Sequence, residues 1–366
     1  MAFKNLWRRK GRTLLTVGGI AIGTAVVVAL LALTDGMAGQ LTGVMSGGGA
    51  ADLTLMQAGI ADMSFSALGE EVGEAVAAMP EVEWIAGLLF NIVPLGQRPF
   101  FLVMGLDAQG PGVQHFRVVE GKSLQRDDEV LLGRMAADFF DKGPGDELVL
   151  QGHRYRIVGL YETGVGYEDS GCVLPITGAQ QLFKKRDQVS FYWIKVRPEV
   201  LDKTEELIET IKERFPEVMA YRSSESAQNI PDIQTLKSLA GVVSLIGLLA
   251  GALGTMNTML MSVLERTREV GTLRALGWRK RHVLGLILQE SLALSLMGGL
   301  AGLVLGAGLI GVIDLIPALT GALAGRLTLR TLSPGLGVAL MLGTLGGLYP
   351  AWRASRLQPI EALRYE

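Results

Sequence analysis

The sequence predicts a membrane α-helical bundle of four transmembrane helices, joined to one α+β extracytoplasmic domain that carries a β-rich insertion. Three observations predict it. Four blocks, 13–33, 238–264, 291–313 and 331–352, run for 21, 27, 23 and 22 residues without a charged side chain. Lysine and arginine crowd three of the segments that flank those blocks. The long stretch 34–237 has the alternation and turn punctuation of a folded domain.

About 20 apolar residues suffice for a helix to cross the hydrocarbon core. The chain is 49% hydrophobic and only 19% charged, against about 25% charged in soluble domains. The first block is longer than the apolar core of a signal peptide, about 7–15 residues, and no clear A-x-A site follows it. It therefore reads as an uncleaved anchor.

Orientation follows from basic residues, which favour the cytoplasmic side. Lys4, Arg8, Arg9, Lys10 and Arg12 precede the first span with no acid among them. The loop 265–282 holds Arg266, Arg268, Arg274, Arg279, Lys280 and Arg281, and the tail holds Arg353, Arg356 and Arg364. The loop 314–330 holds only Arg326 and Arg330. Both termini and the 265–282 loop are thus expected in the cytoplasm. The 34–237 domain, with 18 basic and 30 acidic residues, is expected outside. The expected locale is a bacterial cytoplasmic (inner) membrane.

The boundaries are a cytoplasmic amphipathic segment 1–12, spans 13–33, 238–264, 283–313 and 331–352, and the extracytoplasmic (periplasmic) domain 34–237. The loops 265–282 and 314–330 and the tail 353–366 complete the chain. Within the domain, strands are expected at 51–57, 83–95, 99–105, 129–132, 172–175, 189–196 and 217–221. Helices are expected at 68–79, ending at Pro80, and at 200–215, with Leu207, Ile208 and Ile211 on the buried side. A hairpin over 147–161 turns at Gln151-Gly152-His153. The insertion spans about 110–180. Ser46-Gly47-Gly48-Gly49 and Asn229-Ile230-Pro231-Asp232 read as hinge points, and 34–45 and 233–237 as helical stalks.

Catalytic chemistry finds little support. Cys172 is the single cysteine, so no intrachain disulfide forms. His115, His153 and His282 make no metal-ligand spacing. Gly121-Lys122-Ser123 lacks the first glycine of a phosphate loop, since Phe116 stands five positions earlier. No cofactor, no metal and no nucleic-acid partner is expected.

The membrane segments are more informative. Gly298, Gly302 and Gly306 recur at every fourth residue, a stripe along which helices approach closely, within one chain or between two. Asn257 is a candidate for an interhelical hydrogen bond. Glu290, at the start of the third span, reads as an interfacial carboxylate. The 265–277 stretch reads as an amphipathic helix with Val270, Leu273 and Leu276 on one face. Arg266, Glu269 and Arg274 are left for water or a partner, and Gly277 is its left-handed stop. Periodicity alone leaves a plain basic loop and a docking helix about even.

Motifs favour docking. Glu265-Arg266-Thr267-Arg268-Glu269-Val270-Gly271, then Leu273-Arg274-Ala275-Leu276-Gly277, resembles the E-R-x-x-E-[IV]-G-x-x-[RK]-A-[LIV]-G signature of the FtsX-like, MacB-type ABC transporter permeases. Pro350-Ala351-Trp352-Arg353-Ala354-Ser355, with Pro359-Ile360-Glu361-Ala362-Leu363-Arg364, resembles that family's ending. Asn5-Leu6 through Arg12 is similar to its opening, with Lys4 in place of the usual arginine. Val130-Leu131-Leu132-Gly133 and Tyr155-Arg156-Ile157-Val158-Gly159 resemble the β-rich insertion of its outer domains.

The resemblance implies a non-catalytic permease subunit. A separate ABC ATPase, holding ATP and Mg, would grip Glu265, Arg266, Glu269, Val270, Gly271, Leu273, Arg274, Ala275 and Gly277. It also implies a second permease chain, identical or not, contact with membrane lipids, and in some members a periplasmic adaptor or membrane-fusion protein. The implied activity is export or extraction of a substrate by mechanotransmission. The alternative is an FtsX-like transducer that regulates a periplasmic or cell-wall enzyme.

Overall fold

The computed structural model describes residues 10–60, 63–225, 231–321, 323 and 325–358. Residues 1–9 of the amphipathic segment, Asn229-Ile230 of the second hinge and the 359–366 ending lie outside the described residues. The chain divides into two compact units. One comprises 1–35, 237–312 and 325–366, the other 36–236 and 313–324.

The first unit is helical. Among the described residues, four helices are long and apolar enough to cross a membrane. They are α1 (Lys10–Ser46), α7 (Pro231–Glu265), α9 (Lys280–Asp314) and α10 (Leu329–Ser355), with the short α8 (Thr267–Ala275) between α7 and α9. Thr328 caps α10: its hydroxyl accepts from the Thr331 amide at 3.3 Å, while Thr331 Oγ1 accepts from the Thr328 amide. Such a reciprocal box satisfies two otherwise orphaned donors.

The helices of this unit meet through small residues. A Cβ at Gly302 would lie 2.6 Å from the Ala21 carbonyl oxygen, and one at Gly298 2.7 Å from Ile20 Cβ. One at Gly306 would lie 3.0 Å from the Ala25 carbonyl. The stripe is thus consumed by packing of α9 on α1 within the chain. Gly346 of α10 faces Thr255 and the Ala252 carbonyl of α7, and Ser291 Oγ of α9 donates to the Gly343 carbonyl at 2.6 Å. Asn257 instead lies on the exposed side of α7.

The second unit, the head, is built on a ten-stranded sheet. Its strands are β1 (Leu53–Gln57), β3 (Val82–Leu95), β4 (Arg98–Leu106), β5 (Arg117–Gly121), β6 (Glu129–Gly133), β7 (Glu147–Leu150), β8 (His153–Glu162), β9 (Cys172–Pro175), β11 (Phe191–Val196) and β12 (Val218–Arg222). A separate two-residue pair joins β2 (Leu68–Gly69) to β10 (Gln188–Val189). The order is β12-β1-β11-β3-β4-β9-β6-β8-β5, with β7 on β8.

The order of β11, helix α6 (Thr204–Arg214) and β12 looks like a simple β-α-β unit in sequence. In the fold β1 lies between the two strands, antiparallel to both. Leu207, Ile208 and Ile211 of α6 are buried, together with Leu53 and Leu55 of β1 and Ile194 of β11. Burial of each such side chain contributes about 1.5–3 kcal/mol. The opposite face of the sheet carries Met56, Phe191 and Trp193. Alternation along β11 feeds both faces, as a period of two requires.

The insertion is not a separate layer. Its β9 pairs in parallel with β4, from Val103↔Cys172 to Leu106↔Pro175, so the sheet runs on without a break. Helix α2 (Glu70–Ala77) starts two residues later than periodicity suggests, because Leu68–Gly69 is held as β2. Helix α6 starts at Thr204 rather than at 200, after a 3₁₀ turn Pro198–Lys203. Helices α3 (Arg134–Phe140), α4 (Gly166–Asp169) and α5 (Ile176–Phe183) complete the head.

The first hinge is a packed turn. Ser46 ends α1 and its hydroxyl accepts from the Gly49 amide at 3.1 Å. Gly47, Gly48 and Gly49 hold φ of +53°, +63° and +97°. Gly47 lies against the Trp193 ring and Gly48 against the His115 ring, so a side chain at either meets both strain and a clash.

Candidate functional site

The candidate site is the α7–α8–α9 corner. Helix α7 ends at Glu265, and Arg266 stands at the N-cap of α8 without a side-chain cap bond. A guanidinium has no acceptor to offer an N-terminal amide; Arg266 Nη1 instead donates to both carboxylate oxygens of Glu290 in α9, at 3.1 and 3.3 Å. The side chains of the pair are only 22% and 12% exposed. Glu290 is thus an ion-pair partner held inside the corner, and Arg266, expected to face water or a partner, is turned inward onto it.

Helix α8 is fastened by one face. Val270 joins a buried cluster with Met259 and Val263 of α7, Val283 and Ile287 of α9, and Ala351 and Ala354 of α10. Thr267 and Gly271 are buried on the same side. Leu273 and Arg274 are half-buried. Arg274 Nη1 donates to the Trp278 carbonyl at 3.3 Å, and its buried Nε has no partner.

The helix then stops in two bonds. The Trp278 amide reaches the Leu273 carbonyl at 3.1 Å, and the Gly277 amide reaches that of Arg274 at 3.2 Å. Gly277 takes φ +95°. This double bond is the Schellman closure, which needs a left-handed residue at that point.

The other face is open. Glu265, Arg268, Glu269, Thr272 and Ala275 are exposed. Leu276 is 76% exposed, so the expectation that it shares the buried face with Val270 is wrong. Helical geometry ends at Ala275, one residue before Leu276, and the chain then turns at Gly277 into Trp278, itself 37% exposed. The predicted coupling residues therefore split. Arg266, Val270 and Gly271 hold the corner together, with Leu273 and Arg274 at its margin. Glu265, Glu269, Ala275 and Gly277 lie on the surface.

Sequence reasoning missed the Arg266–Glu290 pair and the buried hydroxyls of Ser291 and Ser295. A signal existed: an unpaired acid near the start of an apolar helix and an arginine at the end of the preceding one sit on either side of one helical corner. No group of three His, Cys, Asp or Glu side chains among the described residues is placed to hold a metal.

Comparison with known proteins places this geometry. Residues 13–211 match the MacB-like periplasmic core domain, and residues 241–359 match the FtsX-like permease C-terminal domain. The chain belongs to the MacB/FtsX-like permease family. It is an ABC transporter permease of that type, a multi-pass membrane protein.

It is 29% identical to the macrolide export ATP-binding/permease protein MacB of Nitrobacter winogradskyi, over 99% of this chain and 59% of that protein. It is 27% identical to an uncharacterized ABC transporter permease of Methanocaldococcus jannaschii, over 100% of this chain and 97% of that one. The chain thus spans about three fifths of the length of the MacB relative. Among solved structures, the periplasmic region of MacB from Actinobacillus actinomycetemcomitans covers 51% of this chain at 14% identity, with a TM-score of 0.39.

Proposed function

We propose that this permease turns ATP hydrolysis on a separate ATPase subunit into movement of its head, and so drives export or extraction of a substrate by mechanotransmission. The observation that carries the reading is the two-faced α8. Its inner face is locked to three long helices through Val270 and the Arg266–Glu290 pair. Its outer face presents Glu265, Arg268, Glu269, Leu276 and Trp278. A motor gripping that face would pull on the bundle and not on a loose loop. The permease relative matched over 97% of its length supports an ATPase carried on another chain.

In this reading both termini and α8 are cytoplasmic and the head is outside. Two permease chains work as a pair, and ATP and Mg reside in the partner. Helices α1 and α7 each continue past their apolar blocks, to Ser46 and from Pro231, and serve as stalks.

The test is Arg268→Glu with Glu269→Lys. Both side chains are exposed, so stability should change by no more than about 0.5 kcal/mol. The variant should insert and fold like wild type yet lose its co-purifying ATPase and ATP-dependent function. Retention of both would reject the docking role. Capture of a hydrolase instead of a transported molecule would move the reading to a signal transducer.

A further inference from the structure

Arg98, at the first position of β4, is 4% exposed. Its guanidinium lies over the Phe139 ring, 4.4 Å from the centroid. Nη1 donates to the Ser170 carbonyl at 3.2 Å. Nη2 reaches the Met135 carbonyl at 3.5 Å and the Pro317 carbonyl at 3.4 Å. Nε is buried without a partner, and burial lowers the guanidinium's hold on its proton from the usual arginine value. No carboxylate among the described residues pairs with this charge. A buried cation held only by carbonyls is costly. Stability alone would be served as well by an apolar side chain, so the fork's reach to several segments is the distinctive property.

Those segments come from different parts of the chain. Pro317 belongs to the loop that follows α9, yet residues 313–324 belong to the head's compact unit. Farther along that loop, Gly321 takes φ +88°, and a Cβ there would lie 2.5 Å from the Gly166 carbonyl oxygen. Ser170 and Gly166 bound the short α4 segment. The same segment holds the end of α1: the Tyr167 amide donates to Gln40 Oε1 at 3.2 Å. A Cβ at Gly43 would lie 2.9 Å from Val165. The 163–170 segment is itself braced, because Asp169 accepts from the Thr163 and Gly164 amides at 2.7 and 3.2 Å.

We propose that Arg98 and the 163–170 segment form a clamp that binds the end of α1 and the loop after α9 to the sheet, so that movement of either helix enters the head through this clamp in addition to the chain itself. The clamp is a positioning device and the drive through it rests on the permease reading given above. The α9–α10 loop then acts as a third mechanical connection, beside the chain continuations of α1 and α7.

Hydrogen exchange of the full chain in lipid nanodiscs tests the clamp without any motor. Arg98→Met should raise amide exchange about tenfold, the effect expected for lost hydrogen bonds to a charged group, in both 163–170 and 315–321. The amides of β1 and β11 should stay as protected as in wild type. Arg98→Lys, which keeps the charge but not the fork, should loosen the same two segments, and it serves as the readout if Arg98→Met does not fold. Unchanged exchange in either segment would overturn the clamp.

With the co-purifying ATPase bound, ATP should alter exchange at 163–170 in wild type and less in Arg98→Lys. An equal ATP response in both would overturn the transmission role. No ATP response in wild type would overturn the permease reading and the drive with it, while the motor-free exchange result still decides the clamp.

Discussion

Arg266 at the N-cap of α8 donates from a single guanidinium nitrogen to both carboxylate oxygens of Glu290 in α9, at 3.1 and 3.3 Å. It closes the corner at which α7 hands over to α9, and it fixes the direction in which α8 presents its open face. Breaking a mostly buried pair leaves an uncompensated charge, at a penalty on the order of 3 kcal/mol. Arg266→Met or Glu290→Leu alone should therefore destabilise the bundle by about that much. The double replacement should recover most of the loss, because no charge is then left alone. Unfolding in detergent micelles, arranged as a double-mutant cycle, measures the coupling. Additive single effects would contradict the pairing.

The glycines of α9 separate packing from composition. Gly302→Ala places a methyl 2.6 Å from the Ala21 carbonyl and from Thr24 Cβ, whereas Gly308 has open space around it. Overpacking of that kind costs about 1–3 kcal/mol. Gly308→Ala should be neutral or gain up to about 1 kcal/mol from helix propensity. Thermal unfolding of the two variants side by side reads the difference, and equal effects would show that the stripe does not touch α1.

The head carries an alkaline limit. Burial pushes the Cys172 thiol and the Tyr161, Tyr192 and Tyr221 hydroxyls above their ordinary values. In the unfolded chain these groups ionise near about 8.5 for cysteine and about 10 for tyrosine. Above those values the unfolded state sheds protons that the folded state retains, so stability falls as pH rises. The melting temperature should be flat in these groups up to about pH 8 and decline through about pH 9–11. Native Cys172 should also resist maleimide until the head unfolds, since its thiolate is disfavoured and the thiol is fully buried. Fast labelling of the folded protein would contradict the burial.

Gly277 sets the direction in which the chain leaves α8 toward Trp278. At φ +95° a branched side chain is strained by about 1–2 kcal/mol. Gly277→Val should leave the head's melting unchanged while weakening ATPase co-purification. A variant that binds the ATPase as wild type does would show that the Schellman closure has no part in docking.

Much of the candidate site was legible from local pattern. The left-handed stop at Gly277 and the inward Val270 follow from spacing along one short helix. The orientation of Leu276 did not, because the chain leaves helical geometry one residue earlier than a continuous helical period assumes. Glu290 looked interfacial because its partner lies 24 positions back, across a turn that periodicity does not fold. In the head, Leu207, Ile208 and Ile211 were readable as the buried face of α6. The place of β1 between β11 and β12 was not, since that pairing joins segments more than a hundred positions apart. Strand β5 was missed because most of its residues are exposed and show no alternation.

What this sequence determined by itself is the list of membrane helices and the family. Uncharged runs longer than a bilayer allow few other structures, and the 265–277 motif is specific in combination. The tertiary structure decided which glycines meet which helix, which arginine holds which carboxylate, and that the loop after α9 is gripped by Arg98. Those outcomes depend on distances between residues remote in sequence. They are set by close packing and by the need to satisfy buried charge, and neither leaves a periodic mark on the chain.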